Sequence, residues 1–185
     1  MATETIKTKR LTLRKFRIDD AEAMYENWAS DSEVTKFLTW PPHESIEVTK
    51  YVLELWVKEY ETDFCYKWAI VYNDGSDRPI GSIGVVAHED TVGMVEIGYC
   101  IGKKYWHKGI TSEALQAVID FLFKQEGINR IEARHDVNNP NSGRVMQKCG
   151  MTYEGTLRQI GRNNIGLCDC CCYAILKGDY IKSER

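Results

Sequence analysis

The sequence predicts a mixed α/β domain, in which a central twisted sheet of about seven strands is flanked by helices. Three observations lead there. Seven segments read as strands, and the stretches between them carry apolar residues at helical spacing. The order is strand, helices, a three-strand meander, helix, strand, helix, and two closing strands. The chain has 185 residues, 43% hydrophobic and 28% charged, and no linker or repeat divides it, so residues 1–185 are expected to form one domain.

Taken in order, Leu11, Leu13 and Phe16 mark the opening strand. Asp19 and Asp20 suit a helix start, and Ala21, Met24, Tyr25 and Trp28 follow at helical spacing. Ser30, with Glu33 three residues on, reads as a capping box for a short second helix. Pro41 and Pro42 interrupt the chain, and Ser45 is expected to cap a third helix carrying Val48, Val52, Leu55 and Trp56. Leu53, Val57 and Tyr60 widen its apolar surface, so it is expected to pack on two sides, against a substrate or a second copy in a homodimer.

Residues 66–72, 79–87 and 94–101 read as strands, and Asn73-Asp74-Gly75 is a turn signal after the first. A helix is expected over 112–125, burying Ala114, Leu115, Val118, Ile119, Leu122 and Phe123. Residues 128–133 form a strand. Residues 140–149 form a short helix closed by Gly150 in a left-handed conformation. Segments 151–157 and 167–176 complete the sheet.

The 24 basic and 27 acidic residues give a formal charge of -3, which argues against a duplex DNA binder. No apolar run approaches the roughly 20 residues needed to span a bilayer, and residues 1–10 lack a signal-peptide core. A cytoplasmic protein with no membrane partner is therefore expected, its seven cysteines reduced. Cys168, Cys170, Cys171 and Cys172 do not follow the paired Cys-x-x-Cys spacing of zinc sites, so no metal is expected and they read as small buried hydrophobes.

The chemistry concentrates in residues 94–114. A strand ends near Ile101, and the loop Lys103, Lys104, Tyr105, Trp106, His107, Lys108, Gly109 leads into a helix at Thr111 or Ser112. The first amides of a helix lack intrahelical partners and lie at the positive end of its dipole. Gly109 permits a tight turn there, and the combination suits a pyrophosphate. The P-loop motif and the dinucleotide glycine triplet are both missing.

Acetyltransferases of the GNAT superfamily bind the pyrophosphate of coenzyme A through a loop of the form Gln/Arg-x-x-Gly-x-Gly/Ala. Trp106, His107, Lys108, Gly109, Ile110 and Thr111 resemble that loop, with departures at Trp106 and Thr111. Tyr105 through Ala114 is similar to the variant found in the branch that acetylates ribosomal-protein N-termini. Thr8-Lys9-Arg10-Leu11 with Leu13-Arg14, then Arg17 and Asp20, resembles the opening of that branch. Asn139-x-x-Ser142 followed by Lys148-Cys149-Gly150-Met151 resembles its later motif. The resemblance runs over nearly the whole chain.

It implies acetyl-CoA as co-substrate and a pantetheine arm lying between two splayed parallel strands, paired with backbone at Tyr99, Cys100 and Ile101. The loop Trp106, His107, Lys108, Gly109, Ile110, Thr111 and Ser112 would hold the pyrophosphate, and Asn139 and Ser142 would contact the arm. Along the strand, Val95, Ile97, Tyr99 and Ile101 share one face, and Glu96, Gly98 and Cys100 share the other. That second face is small and holds one carboxylate, which makes Glu96 the candidate base for an amine attacking the thioester. Many relatives carry a tyrosine acid four residues after the serine; Met146 stands there, which leaves Ser142 to meet the departing sulfur. Asn139 before Pro140 is also an N-cap signature.

An α-amine, with a pKa of roughly 7.7–8.0, is partly neutral near pH 7, whereas a lysine at roughly 10.4 is not. A protein or peptide N-terminus is the expected acceptor. The alternatives are a small amine, such as a polyamine, amino sugar or antibiotic, and a catalytically idle CoA-binding module. A polyamine predicts an acidic pocket, with Glu44, Glu47, Glu54 and Asp63 near the third helix as candidates. A Cys-His acyl-enzyme is not expected: Cys149 reads as core, and His43, His107 and His135 have no supporting spacing.

Overall fold

The computed structural model describes residues 3–62, 64–125 and 127–183. Asp63 therefore lies outside the described residues. One eight-stranded sheet runs in the order β1-β2-β3-β4-β5-β6-β8-β7. The strands are β1 (Ile6–Lys7), β2 (Leu11–Arg14), β3 (Lys67–Tyr72), β4 (Pro79–Glu89), β5 (Met94–Ile101), β6 (Arg130–Asp136), β7 (Thr152–Asn163) and β8 (Gly166–Leu176). The strand beyond the expected seven is β1, a two-residue edge too short to leave a periodic pattern. The helices are α1 (Ala21–Met24), which continues as a π turn over Tyr25–Ala29, α2 (Ser32–Thr35), α3 (Ile46–Glu59), α4 (Ile110–Leu122), α5 (Pro140–Lys148) and α6 (Lys177–Ser183). Among the described residues, no helix is long and apolar enough to cross a membrane.

Two apolar layers cover the sheet. Alternation along β3 shows how the sequence sorts them: Trp68 and Ile70 face one layer and Ala69 the other. The larger layer packs Leu115, Ile119 and Leu122 of α4 and Met146 of α5 onto Val95, Ile97 and Ile131. The smaller packs Met24 and Trp28 with Leu53 of α3 and Phe16. Leu53, Leu115 and Leu122 are fully buried, and truncating any one to alanine costs about 2–5 kcal/mol. Arg14 and Asp20 form a buried two-pronged pair, at 2.8 Å for each bond, that ties β2 to the start of α1; breaking such a pair costs about 3–5 kcal/mol.

Several local expectations are corrected. Asp31, not Ser30, caps α2, its carboxylate accepting from the Glu33 N–H at 2.8 Å; the Ser30 hydroxyl donates to the Tyr25 carbonyl instead. Ser45 sits at the N-cap of α3 without a side-chain cap bond. The third helix buries Thr49 and Leu53 and leaves Val48, Tyr51 and Leu55 exposed. α4 begins at Ile110, earlier than expected, because Gly109 takes φ +70° and turns the chain directly into the helix. β7 extends to Asn163, past the expected end at 157. Its outer half is polar, exposed and irregular in register between Leu157 and Gly161, so it lacks the alternation that marks a half-buried strand.

The feature that shapes the site is where pairing stops. β4 and β5 form a long antiparallel ladder from Gly81↔Ile101 to Glu89↔Met94. β5 and β6 are the parallel neighbours, and they pair only at Met94↔Arg130, Val95↔Ile131 and Glu96↔Glu132. Beyond Glu96 the two strands diverge, and β6 continues against β8 alone. Residues 97–101 thus have no strand partner on their β6 side.

Candidate active site

Two cavities open from this split. The first, of about 360 Å³, is lined by Tyr99, Cys100 and Ile101 of β5, Tyr105, Trp106, His107 and Gly109 of the loop, and Ile110, Thr111 and Ser112 of α4. From α5 and the residue before it come Asn139, Asn141, Ser142, Arg144, Val145 and Lys148. The second, of about 600 Å³, lies on the Glu96 face of β5. Tyr99, Cys100, Asn139 and Ser142 line both, so the cavities meet at those four residues.

The loop into α4 is shaped by two left-handed residues. His107 and Gly109 both have positive φ, at 58° and 70°, which brings the first α4 amides to the cavity. The Trp106 indole donates to the Ile101 carbonyl at 2.9 Å and fixes the loop to the strand end. Glu113 in the first turn of α4 accepts from the Thr8 hydroxyl at 2.6 Å, the Arg10 N–H at 2.9 Å and Arg10 Nε at 2.6 Å. Arg10 also donates to the Lys108 carbonyl at 2.9 Å. The opening motif and the loop motif, a hundred residues apart in sequence, are one clamp. Burial works to raise the Glu113 carboxyl, but the Thr8 and Arg10 hydrogen bonds and the Arg10 charge bring it below its ordinary 4.5. Lys108 is the one expected loop residue that does not line the cavity: its ammonium sits over the Tyr105 ring.

Asn139 occupies the N-cap of α5 with Pro140 after it, but its side chain makes no cap bond. Its own N–H donates to the Asp136 carbonyl at 2.8 Å, and the amide side chain is left at the cavity junction. Asp136 is buried and accepts from Asn138 and, at 2.7 Å, from the Asn163 amide. Cys149 is core: its thiol donates to the Ser112 carbonyl, and burial pushes it up to about 12. His43 pairs with Thr49, and the buried His135 packs on Tyr173. Among the described residues, neither histidine is hydrogen-bonded to a cysteine.

Glu96 lines the second cavity, its side chain mostly buried. Both of its oxygens accept from Arg134 of the diverging strand, at 2.7 and 2.6 Å. A carboxylate offers about four acceptor positions, so this pairing leaves lone pairs for an amine or a bridging water. The outer walls are aromatic and basic: Phe37, Trp40 and Trp56, with Lys67 and Arg162. Asn164, at the tip of the β7–β8 hairpin, ties that hairpin to the segment carrying Trp40, its amide donating to the Thr35 and Trp40 carbonyls, each at 2.8 Å. Cys168 and Cys170 lie in the same wall with sulfurs 3.9 Å apart, opposite Gly161, where a Cβ would meet both sulfurs. Among the described residues, no group of three or more His, Cys, Asp or Glu side chains is placed to hold a metal ion.

Sequence reasoning missed Arg144, Lys148, Arg134 and, Trp56 of the third helix apart, the outer wall. Arg144 and Lys148 recur at i and i+4 on α5, a signal that was available. The Asn164 strap joins segments more than a hundred residues apart and leaves no local pattern.

Comparison with known proteins agrees with this architecture. Residues 10–152 match the family model described as acetyltransferase (GNAT) domain. An uncharacterized N-acetyltransferase, p20, from Bacillus licheniformis is 32% identical over 96% of this chain and 98% of its own length. The ribosomal-protein-serine acetyltransferase of Escherichia coli is 28% identical over 85% of this chain and 88% of its own. A crystal structure of a GNAT-family acetyltransferase from Bacillus anthracis superposes with a TM-score of 0.81 at 31% identity, covering 95% of this chain and 99% of that one. The sheet parted beside a glycine-turned helix start thus belongs to a protein that is itself a member of the GNAT family of N-acetyltransferases.

Proposed function

We propose that this chain, acting as one domain in the cytoplasm, transfers the acetyl group of acetyl-CoA to the α-amine of a protein or peptide N-terminus, by direct attack with both substrates bound. The observation that carries the reading is the meeting of two cavities at Tyr99, Cys100, Asn139 and Ser142. The first suits the donor. The α4 amides take the pyrophosphate, Arg144 and Lys148 add positive charge, and the unpaired β5 backbone offers the pantetheine its hydrogen bonds. The thioester then arrives at the junction. The acceptor enters through the second cavity, whose volume lies within the range of small-ligand sites. Glu96 or a water on it takes the amine proton, free strand amides meet the oxyanion, and Ser142 faces the leaving sulfur.

The acceptor cavity favours an N-terminal amine over a polyamine. Glu44, Glu47 and Glu54 are exposed and line neither cavity. Of the carboxylates that do, Glu96 is neutralised by Arg134 and Asp136 is wrapped by amides. A polycation would also meet Lys67 and Arg162. The kinship with the ribosomal-protein-serine acetyltransferase points the same way.

The test is acetyl transfer from acetyl-CoA to a panel of peptides with free N-termini, with spermidine and an amino sugar in parallel, read by mass spectrometry. The expected result is a kcat/KM for the best peptide at least about tenfold above that for spermidine. Preference for spermidine or the amino sugar would overturn the acceptor assignment. Binding of coenzyme A without acetylation of any amine would favour an idle binding module.

A further inference from the structure

β5 and β6 part after Glu96, yet three residues later one side chain spans the gap beneath the site. Tyr99 reaches from β5 to the first turn of α5, its hydroxyl 2.9 Å from Ser142 Oγ and 3.1 Å from the Ser142 carbonyl oxygen. A phenol has one proton to give, and its oxygen accepts as well. Two arrangements therefore satisfy the pair. In one, Tyr99 donates to the Ser142 carbonyl and the Ser142 hydroxyl donates back to Tyr99. In the other, Tyr99 donates to Ser142 Oγ, and the serine hydrogen is released toward the cavity junction.

We infer that Tyr99, through its side chain, is a positioning residue that acts through Ser142, supplying the hydrogen bond that frees the serine hydrogen for the departing sulfur. The inference rests on the acetyl-transfer reading above. In that reaction the C–N bond forms, the C–S bond breaks, and the bonding pair goes to sulfur. The proton lost by the amine leaves through Glu96 and water and ends on the coenzyme A thiol. No proton leaves Tyr99; its hydrogen only swings from the carbonyl to Ser142 Oγ as charge builds on sulfur. Donation into Oγ polarises the serine hydroxyl and strengthens its own donation. Burial holds the Tyr99 phenol above its ordinary range against the opposing Ser142 bond, so it keeps its proton throughout. The arrangement also meets a need of this chain. Position 146, one turn along the helix from Ser142, is a buried methionine with no proton to offer.

The test uses coenzyme A bound to the full chain and follows the ultraviolet absorbance of its thiolate against pH, for the parent, Y99F, S142A and the double variant. Calorimetry at a pH below the titration gives the affinity of each. In the parent, the bound thiol should titrate about one pH unit below the free one, the scale of one hydrogen bond to a charged group. S142A should abolish that shift, Y99F should remove at least about half of it, and the double variant should match S142A. Affinity for coenzyme A should stay within about twofold in Y99F, which also shows that it folds. With an active acceptor, kcat of Y99F should fall about tenfold at unchanged KM. A Y99F titration identical to the parent would overturn the inference, as would shifts that add in the double variant. So would loss of coenzyme A affinity in step with the shift, which would make Tyr99 a spacer of the gap and nothing more. Failure of the parent to bind coenzyme A at all would instead remove the acetyl-transfer reading, and this inference with it.

Discussion

The two cavities that meet at Ser142 are built by different means. The first, proposed above for the donor, is made of main chain and position: a strand deprived of its partner, a glycine at φ +70°, and the open amides of α4. The second, proposed for the acceptor, is made of side chains from distant segments, Trp40, Trp56, Arg134 and Arg162, with Asn164 strapping the hairpin to the Trp40 carbonyl. Backbone geometry of this kind admits one ligand shape and tolerates changes in neighbouring side chains. A wall of side chains can be rewritten residue by residue, without change to the fold that carries it.

Substitutions at either side should therefore separate kinetically, and the largest effect belongs to the proposed base in the second cavity. E96Q keeps one acceptor oxygen toward Arg134, replaces the other by an amide donor and removes the base, so kcat should fall by about 10²–10⁴; circular dichroism distinguishes this from unfolding. A loss under about threefold would remove Glu96 from the chemistry. On the donor side, G109V places a β-branched residue at a left-handed position, with strain of about 1–2 kcal/mol. It should raise the KM for acetyl-CoA roughly tenfold and leave the acceptor KM near the parent's. On the acceptor side, N164A removes two hydrogen bonds, together worth about 1–2 kcal/mol. The acceptor KM should rise several-fold, with coenzyme A affinity unchanged by calorimetry. If G109V and N164A each shifted both constants alike, the division between the cavities would be wrong.

The smallest expected effect is one of pH. Glu113, clamped by Thr8 and Arg10, has its folded-state pKa below the ordinary 4.5. Its contribution is complete above that ordinary value and is lost as pH falls through the lower folded value. Arg10 is partly exposed, so the gain is about 1 kcal/mol or less. E113Q should melt slightly below the parent at pH 7, and the difference should close between about pH 5 and 3. A gap that stays constant with pH would show that the clamp works by packing and not by charge.

The same contrast explains what the sequence revealed. β5 was readable from Met94 to Ile101 because one face is continuously apolar and the other small. The turn into α4 was readable because loop, glycine and helix start are contiguous. Gly150 closes α5 at φ +75° as its place after a helix implied. The outer half of β7 was not readable, because an exposed and irregular strand has no alternation to detect. The Thr8–Arg10–Glu113 clamp and the Asn164 strap were hidden for another reason. Each joins residues about a hundred or more positions apart, so no window along the chain contains both partners. Ser142 could be nominated from its motif, but the Tyr99 hydroxyl above it depends on how far the sheet splits, which only the fold determines.

A crystal structure with coenzyme A bound would show where the donor lies relative to Ser142 and Glu96. Expected are pyrophosphate oxygens on the first α4 amides, pantetheine paired along residues 99–101, and sulfur within hydrogen-bonding reach of Ser142 Oγ on the Glu96 side of the junction. Coenzyme A lying elsewhere, or entering the gap with its sulfur turned away from both Ser142 and Glu96, would contradict this placement.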